Sequence, residues 1–227
     1  ATRLPEAAPI GVCYTGARDM GFYADHVFSR LMELCLRTGK FKKQREQALA
    51  PAHGRVLEIG LGTGLNLPHY PKSVTWLTAV DPATVLRKTV AQRSAELSFP
   101  VELLHLSAEK LPFEDGRFDC AVSTLTLCAI PDATAALREV RRVLKPGGTF
   151  VFLEHGRSDD EMVAKWQDWL NPIQRIIACG CNLNRPIDVL IRQAGLRMGL
   201  LDRFRMPGIP GIPRIAGEMY RGIATPH

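Results

Sequence analysis

Three glycines alternate with other residues in the segment Glu58-Ile-Gly-Leu-Gly-Thr-Gly64, which follows a short apolar run. Residues without a Cβ let the backbone turn sharply and let a ligand lie directly against it. A dinucleotide-binding loop has the spacing G-x-G-x-x-G/A, whereas the last position of that pattern, counted from Gly60, is Leu65. The segment therefore fits a dinucleotide poorly. The carboxylate of Glu58 would instead suit a ligand that carries positive charge. A dinucleotide site and a merely tight turn are the alternatives.

A carboxylate follows the next apolar run, about twenty residues after the first glycine, where nucleotide-binding sheets place the acid that holds a ribose. This residue is Asp81, whose two oxygens would accept hydrogen bonds from both ribose hydroxyl groups. Asp81-Pro82 would otherwise only start a turn. After the third run, Ser107-Ala108-Glu109 offers a backbone N–H and polar side chains for the edge of an adenine ring, unless it is simply an exposed loop.

One histidine, His155, comes directly after the fifth apolar run. Its imidazole would lie beside the reacting group of a bound ligand and would accept a proton from a thiol, a hydroxyl or an amine. A structural histidine at the end of a strand is the alternative. The segment Cys179-Gly-Cys181 has no histidine at ligand spacing, so the sequence predicts no metal site.

The elements that must position these residues alternate between short apolar runs and helical stretches. Strands are predicted at 56–59, 76–80, 101–105, 118–123, 149–154, 196–203 and 218–224, the last two joined by an irregular loop at 208–213. Strands separated by helix-length segments are typical of βαβ units and a parallel sheet. The segment 24–50 is predicted to be helical with a break at Gly39, and Asp132 to cap the helix before the fifth strand.

A further helix is predicted to begin at Ser158, which has capping-box spacing to Glu161. Asn171-Pro172 would bend or end that helix. Trp166 and Trp169 share one of its faces, and they would either cover an apolar cavity or pack against the domain.

The composition fits one ordinary globular domain of 227 residues, with 46% hydrophobic and 23% charged residues. The net charge of +6 would permit contact with nucleic acid or an anionic membrane, but the cations are dispersed and suit solvated faces, so no nucleic-acid partner is expected. No apolar run is long enough to span a bilayer. Six cysteines without a Cys-x-x-Cys pair favour a reducing, cytoplasmic location. The oligomeric state is not indicated.

These motifs together resemble the class I S-adenosylmethionine-dependent methyltransferases over roughly residues 50–155. The resemblance rests on Glu58–Gly64, Asp81, Ala108-Glu109, Phe118-Asp119 and Leu144-Lys-Pro-Gly-Gly148. It implies an α/β fold: a Rossmann-like, seven-stranded, mostly parallel sheet with helices on both faces, an N-terminal helical segment, and a last, antiparallel strand inserted beside the fifth. It implies S-adenosylmethionine as the cofactor, in contact with Tyr23, Glu58, Gly60, Gly62, Gly64, Asp81, Pro82, Ala108, Glu109, Thr124 and Leu125.

A narrower resemblance, to the alkyl-thiol methyltransferases and their soluble bacterial relatives, lies in Gly64-Leu-Asn66, Thr126-Leu-Cys128, Leu153-Glu-His155, Trp166 and Cys179-Gly-Cys-Asn-Leu-Asn-Arg185. It implies a small-molecule acceptor, with S-methylation of a thiol as the first expectation. Methylation of oxygen or nitrogen, on a small metabolite or a phospholipid head group, is the alternative, and an NAD-dependent oxidoreductase is a distant one. The hydrophobic N-terminal anchor of that family is missing from this sequence, so its membrane association is not expected here.

The chemistry expected of a thiol acceptor is undemanding. A thiol has an ordinary pKa of about 8.5, so a strong base is optional near neutral pH. His155 is accordingly the single catalytic residue predicted. The chain is expected to form one domain, in which residues 1–50 are an N-terminal helical lid, 51–155 the cofactor-binding half and 156–227 the substrate-side half.

Overall fold

The sheet contains all seven predicted strands. The computed structural model describes residues 29–83, 87–206 and 218–227. Its strands are Gly54–Ile59 (β1), Val74–Val80 (β2), Val101–Leu104 (β3), Phe118–Thr124 (β4), Leu144–His155 (β5), Leu196–Arg205 (β6) and Glu218–Pro226 (β7). They lie in the order β3-β2-β1-β4-β5-β7-β6. The first five strands are parallel, and β7 is antiparallel to both β5 and β6. The resemblance is thus confirmed down to the insertion of β7 beside β5.

Six helices surround the sheet in the described residues: Ser29–Leu36 (α1), Gly39–Leu49 (α2), Arg87–Ser94 (α3), Ala133–Val143 (α4), Glu161–Ile177 (α5) and Ile187–Gln193 (α6). The predicted break in the N-terminal helical segment is confirmed, and Gly39 is the first residue of the second helix. Tyr23 and the loop predicted at 208–213 lie outside the described residues. No helix in the described part is both long and apolar enough to cross a membrane.

Helices cover both faces of the sheet because neighbouring strand residues point to opposite sides. Leu57 and Ile59 of β1 belong to the cluster that includes the buried residues of α4 and α6. Val56, which directly precedes Leu57, packs on the other face with Leu49 of α2 and Val90 of α3. The mostly apolar strands are therefore buried on two sides, as a parallel sheet requires.

The helix before β5 has the predicted cap, whereas α5 does not. Asp132 accepts a hydrogen bond from the Ala135 backbone N–H over 2.9 Å. At α5 the cap is Asp160, which accepts from the N–H groups of Met162 and Val163. The prediction of Ser158 as the cap was wrong: its hydroxyl accepts from the Asp160 N–H, which lies before the helix, and donates to Glu218, each over 3.2 Å.

Helix α5 also passes through the point where its proline was predicted to bend or end it. Pro172 lies inside the helix, which continues to Ile177. A proline removes one helical hydrogen bond. The neighbouring Asn171 holds the helix in place there, because its side chain accepts a hydrogen bond from the Leu183 N–H over 2.8 Å.

The two N-terminal helices lie against the carboxyl ends of the central strands. Phe41 and Ala48 of α2 pack with Leu153 of β5 and Met219 of β7. Helix α1 is joined to the glycine segment through Arg93 of α3. This guanidinium pairs with Glu33 of α1 over 2.5 Å and also donates to the Thr63 carbonyl. Helix α1 is therefore linked to the glycine segment and α2 packs against β5 and β7, while a lid formed by residues 1–50 stays a prediction.

Candidate functional site

The glycine loop after β1 has free space for a side chain at one of its three glycines and none at the other two. Gly60, Gly62 and Gly64 have φ angles of +74°, +54° and +77°, in the left-handed region that favours glycine. A Cβ at Gly60 would lie 2.1 Å from the Thr126 side chain, and one at Gly64 would lie 2.8 Å from Leu67. A Cβ at Gly62 would meet nothing within 4 Å. Packing within the chain explains the outer two glycines, whereas Gly62 borders free space in which a ligand can lie.

Asp81, at the end of β2, faces this loop. One carboxylate oxygen accepts the Gly62 N–H over 2.8 Å and the other accepts the Ala83 N–H over 2.9 Å. Burial raises the pKa of this carboxyl, although the two N–H groups lower it. A carboxylate oxygen accepts more than one hydrogen bond, so both oxygens retain capacity for a ligand. Pro82 is partly exposed beside it.

Glu58, which opens the glycine segment, lies beneath the loop with 1% of its surface exposed. Its oxygens accept hydrogen bonds from the Asn66 amide over 2.7 Å and from the Tyr70 hydroxyl over 2.8 Å. Burial raises the pKa of Glu58 to about 7. The Asn66 amide also donates to the Thr124 hydroxyl over 3.0 Å, which joins the ends of β1 and β4. Direct contact between Glu58 and a cofactor remains a prediction.

The turn after β4 is held in an uncommon conformation by a buried carboxylate. Leu125 has a φ of +53°, which is costly for a residue with a Cβ. Glu154 of β5 is fully buried and accepts hydrogen bonds from the Ser123 hydroxyl, over 2.6 Å, and the Thr126 N–H, over 3.0 Å. The backbone that presents Thr124 and Leu125 is therefore fixed from beneath.

The residues predicted to follow β3 lie at the same edge. Ala108 is buried. Glu109 accepts hydrogen bonds from the Ser107 hydroxyl over 2.7 Å and from the Asp132 N–H over 2.8 Å. It thus links the end of β3 to the start of α4. The structure brings all described members of the predicted cofactor set to the carboxyl ends of β1 to β4.

His155, at the end of β5, does not stand alone. Its Nε2 atom lies 3.0 Å from the Cys181 sulfur, and Cys128 completes a group whose ligand atoms all lie within 4.8 Å of one another. A hydrogen bond from Cys128 and the charge of His155 lower the pKa of Cys181. Burial lowers the pKa of His155, but the charge and hydrogen bond of Cys181, together with the charge of Glu154, outweigh burial and raise that pKa.

Comparison with known proteins supports a methyl-transfer family. A family model described as "Methyltransferase domain" matches residues 57–152. The human thiol S-methyltransferase TMT1A is 33% identical over 163 residues, which cover 70% of this chain and 61% of that protein. Residues 57–152 of the chain belong to the class I S-adenosylmethionine-dependent methyltransferases. The phosphatidylethanolamine N-methyltransferase of Cereibacter sphaeroides is 34% identical over 108 residues, covering 47% of this methyltransferase and 53% of that one. The chain thus spans little more than half the length of these relatives.

Solved structures show the same fold. A methyltransferase of Bacillus halodurans has a TM-score of 0.65 with 16% identity, and the match covers 83% of this chain and all of that one. The N-methyltransferase NodS of Bradyrhizobium japonicum, in complex with S-adenosylhomocysteine, has a TM-score of 0.61 with 17% identity, covering 88% of this chain and 99% of that one. These structures confirm the predicted fold. The match to a methyltransferase domain supports the predicted cofactor, S-adenosylmethionine.

The open loop at this methyltransferase's Gly62 fits that cofactor. Free space beside a backbone without a Cβ admits a ligand, and Asp81 offers acceptors for two ribose hydroxyls. The sequence analysis gave no site role to Asn66, Tyr70 or Glu154, which support the site from below, although Asn66 and Glu154 lie in motifs that it quoted. Asn66 and Tyr70 bind Glu58 from within the same stretch of chain, whereas the partners of Glu154 are about thirty residues away and are brought to it by the fold.

The contribution of Asp81 can be measured through Asp81→Ala. We expect the affinity for S-adenosylhomocysteine to fall by roughly 1–3 kcal/mol, because the variant loses a charged hydrogen-bond acceptor. Isothermal titration calorimetry measures this directly. Asp119→Ala is the matched control: Asp119 accepts from the Arg55 N–H over 2.8 Å and pairs with Lys145 over 2.6 Å at the opposite edge of the sheet. Equal loss of affinity in both variants would contradict the ribose role.

Proposed function

We propose that this chain transfers the methyl group of S-adenosylmethionine to the sulfur of a small thiol. The observation that carries the proposal is the meeting of Cys128, His155 and Cys181 at the strand ends. These residues come from three of the five segments that resemble the alkyl-thiol methyltransferases. Because these three side chains meet beside the turn after β4, we infer that the segments contribute to one acceptor site. The name of the relative TMT1A, a thiol S-methyltransferase, supports the same acceptor.

For this reaction the protein mainly has to position the acceptor sulfur against the methyl group of the cofactor. The cofactor supplies a methyl carbon already activated by a sulfonium, so the acceptor sulfur needs alignment and removal from water. The backbone at Gly62 and the carboxylate of Asp81 would hold the cofactor. The turn fixed by Glu154 would hold the cofactor's reactive end toward Cys128 and His155. A catalytic role of His155 remains part of this proposal.

A panel of acceptors tests the substrate class. Small alkyl and aryl thiols, matched phenols and matched amines are incubated with S-adenosylmethionine from pH 6 to 10, and S-adenosylhomocysteine is quantified by mass spectrometry. We expect turnover on apolar thiols that rises as the thiol ionises, toward pH values near 8.5. Turnover restricted to phenols or amines would exclude the thiol acceptor and leave the family assignment intact.

A second acceptor, a phospholipid head group, is favoured by one specific surface. Helix α5 exposes an apolar face rather than burying it, and 66% of Trp169 is accessible. Its other members are Met162, Trp166, Ile173, Ile176 and Ile177. An exposed apolar face with tryptophans suits the surface of a membrane. Vesicles of phosphatidylethanolamine, with phosphatidylcholine vesicles as control, test this: methylated lipid in the first alone would favour the head group over the thiol.

A further inference from the structure

The three side chains that meet at the end of β5 form a ligand set of a particular chemical kind. Cys128 and Cys181 offer sulfur and His155 offers an imidazole nitrogen, a combination that divalent zinc prefers. In a tetrahedral zinc site with ordinary bond lengths, such donor atoms lie about 3.5–3.8 Å apart. Here the three donor atoms lie within 4.8 Å of one another, and the Nε2–Sγ distance is 3.0 Å. Shifts of less than about one ångström would bring them to metal-ligand spacing.

The two cysteines are held together by the backbone rather than by chance contact. The residue after Cys181 is Asn182, whose backbone N–H and side-chain amide both donate to the Cys128 carbonyl, each over 2.9 Å. The same amide also donates to the Gly180 carbonyl over 3.0 Å. The loop turns there through Cys179, which has a φ of +49°. The two hydrogen bonds to the Cys128 carbonyl join segments that lie far apart in sequence, as a preorganised site requires.

A positive side chain lies close to the cluster without joining it. The guanidinium of Arg185 donates to the carbonyl of Leu127, the residue next to Cys128, and to the Pro131 carbonyl over 3.2 Å. A divalent cation with two thiolates and a neutral imidazole carries no net charge. A third thiolate, from a bound ligand, would give the site a net negative charge. The nearby positive charge of Arg185 would offset it.

We propose that Cys128, His155 and Cys181 bind a zinc-like divalent cation whose remaining position takes the sulfur of the acceptor thiol. The acceptor part of this proposal rests on the proposed function. Three protein ligands with an open fourth position are the arrangement of a catalytic rather than a structural zinc site. Within the described residues no fourth carboxylate, cysteine or histidine joins the group.

The reaction at such a site balances without a further reagent. The acceptor thiol binds through its sulfur and releases its proton to solvent, because coordination deprotonates a thiol. The sulfur then forms a bond to the methyl carbon of the cofactor. The bond from that carbon to the sulfonium breaks, and its electron pair stays on the departing S-adenosylhomocysteine. The products are a neutral thioether and S-adenosylhomocysteine.

Metal content tests the site independently of activity. The full chain is dialysed against zinc and then against metal-free buffer, and the retained metal is quantified by inductively coupled plasma mass spectrometry. We expect close to one zinc per chain in the wild type and at least a tenfold lower content in Cys181→Ser and in Cys128→Ser. Cys179→Ser, two residues from Cys181, is the matched control and should retain the metal. Binding of S-adenosylhomocysteine shows that each variant is folded.

Cobalt reports on the open position. The cobalt-loaded wild type should show a thiolate-to-cobalt charge-transfer band that is absent from Cys128→Ser/Cys181→Ser, and 2-mercaptoethanol should intensify it by adding a third thiolate. A wild type that retains no metal, or that instead contains a Cys128–Cys181 disulfide, would overturn the metal site. If metal-free protein methylates thiols at the full rate, the proposed function stands and the metal proposal fails. If metal binds but no thiol is methylated, the cation site stands and the thiol acceptor fails.

Discussion

Gly62→Ala should abolish cofactor binding while leaving the protein folded. A methyl group at this position meets no protein atom within 4 Å, so it projects into the space where the cofactor is expected to lie. We expect the affinity for S-adenosylhomocysteine to fall at least about 100-fold, which corresponds to roughly 2.7 kcal/mol. Calorimetry with S-adenosylmethionine, S-adenosylhomocysteine and NAD measures the change, and NAD should bind neither protein.

Gly147 provides a matched control for this substitution. It has a φ of +77° and, like Gly62, no atom within 4 Å of an added Cβ, but it lies near the start of β5, at the opposite edge of the sheet. Alanine in the left-handed region costs on the order of 1–3 kcal/mol at either position. Both variants should therefore lose similar stability, and only Gly62→Ala should lose the cofactor. Parallel losses in both would mean that backbone strain, rather than the ligand's space, explains the effect.

Glu58→Gln should change how the free energy of unfolding depends on pH. The pKa of Glu58 is about 7 in the folded protein, against an ordinary value of 4.5. A carboxyl whose folded pKa is raised contributes stability below pH 4.5, and that contribution is lost as the pH rises through 7. The loss amounts to roughly 3 kcal/mol. Glutamine does not titrate, so relative to wild type the variant should gain about this much between pH 4.5 and pH 8 in urea unfolding.

Tyr70→Phe distinguishes this cause from a general effect of substitution. The Tyr70 hydroxyl donates to Glu58 and lowers its pKa. Its removal should move the loss of stability to higher pH, opposite to the flattening in Glu58→Gln. The same Glu58→Gln protein tests the predicted cofactor contact: a lost charge at a cationic ligand should weaken binding about tenfold. Unchanged affinity would confine Glu58 to support of the loop.

The fold was predictable because its signals are local. Short apolar runs predicted the strands. The site residues of the glycine segment and Asp81 were then predicted from their positions at the ends of β1 and β2. The cap of α5 was not predictable in the same way. Ser158 and Asp160 are both good caps, and the choice between them depends on Glu218, which lies in β7 and contacts Ser158.

The acceptor side shows the limit of reasoning from spacing. His155 follows β5, whereas Cys181 follows α5, and no sequence interval connects them to Cys128. They meet because β4 and β5 are neighbours in the sheet and Asn182 joins the two loops. The tryptophans of α5 were predicted either to cover an apolar cavity or to pack against the domain. Close packing was wrong, since Trp166 and Trp169 are both more than half exposed, and the cavity stays a prediction.

The placement of β7 has a consequence for how the chain acquires its shape during synthesis. This strand follows β6 in the chain but lies between β5 and β6, so β6 has no partner until β7 has emerged. Until then β5 presents an open edge, which invites pairing with other chains. Met219 of β7 pairs with His155 in the finished sheet. The pairing at the end of β5, where the acceptor is expected to bind, is therefore completed only after β7 has emerged from the ribosome.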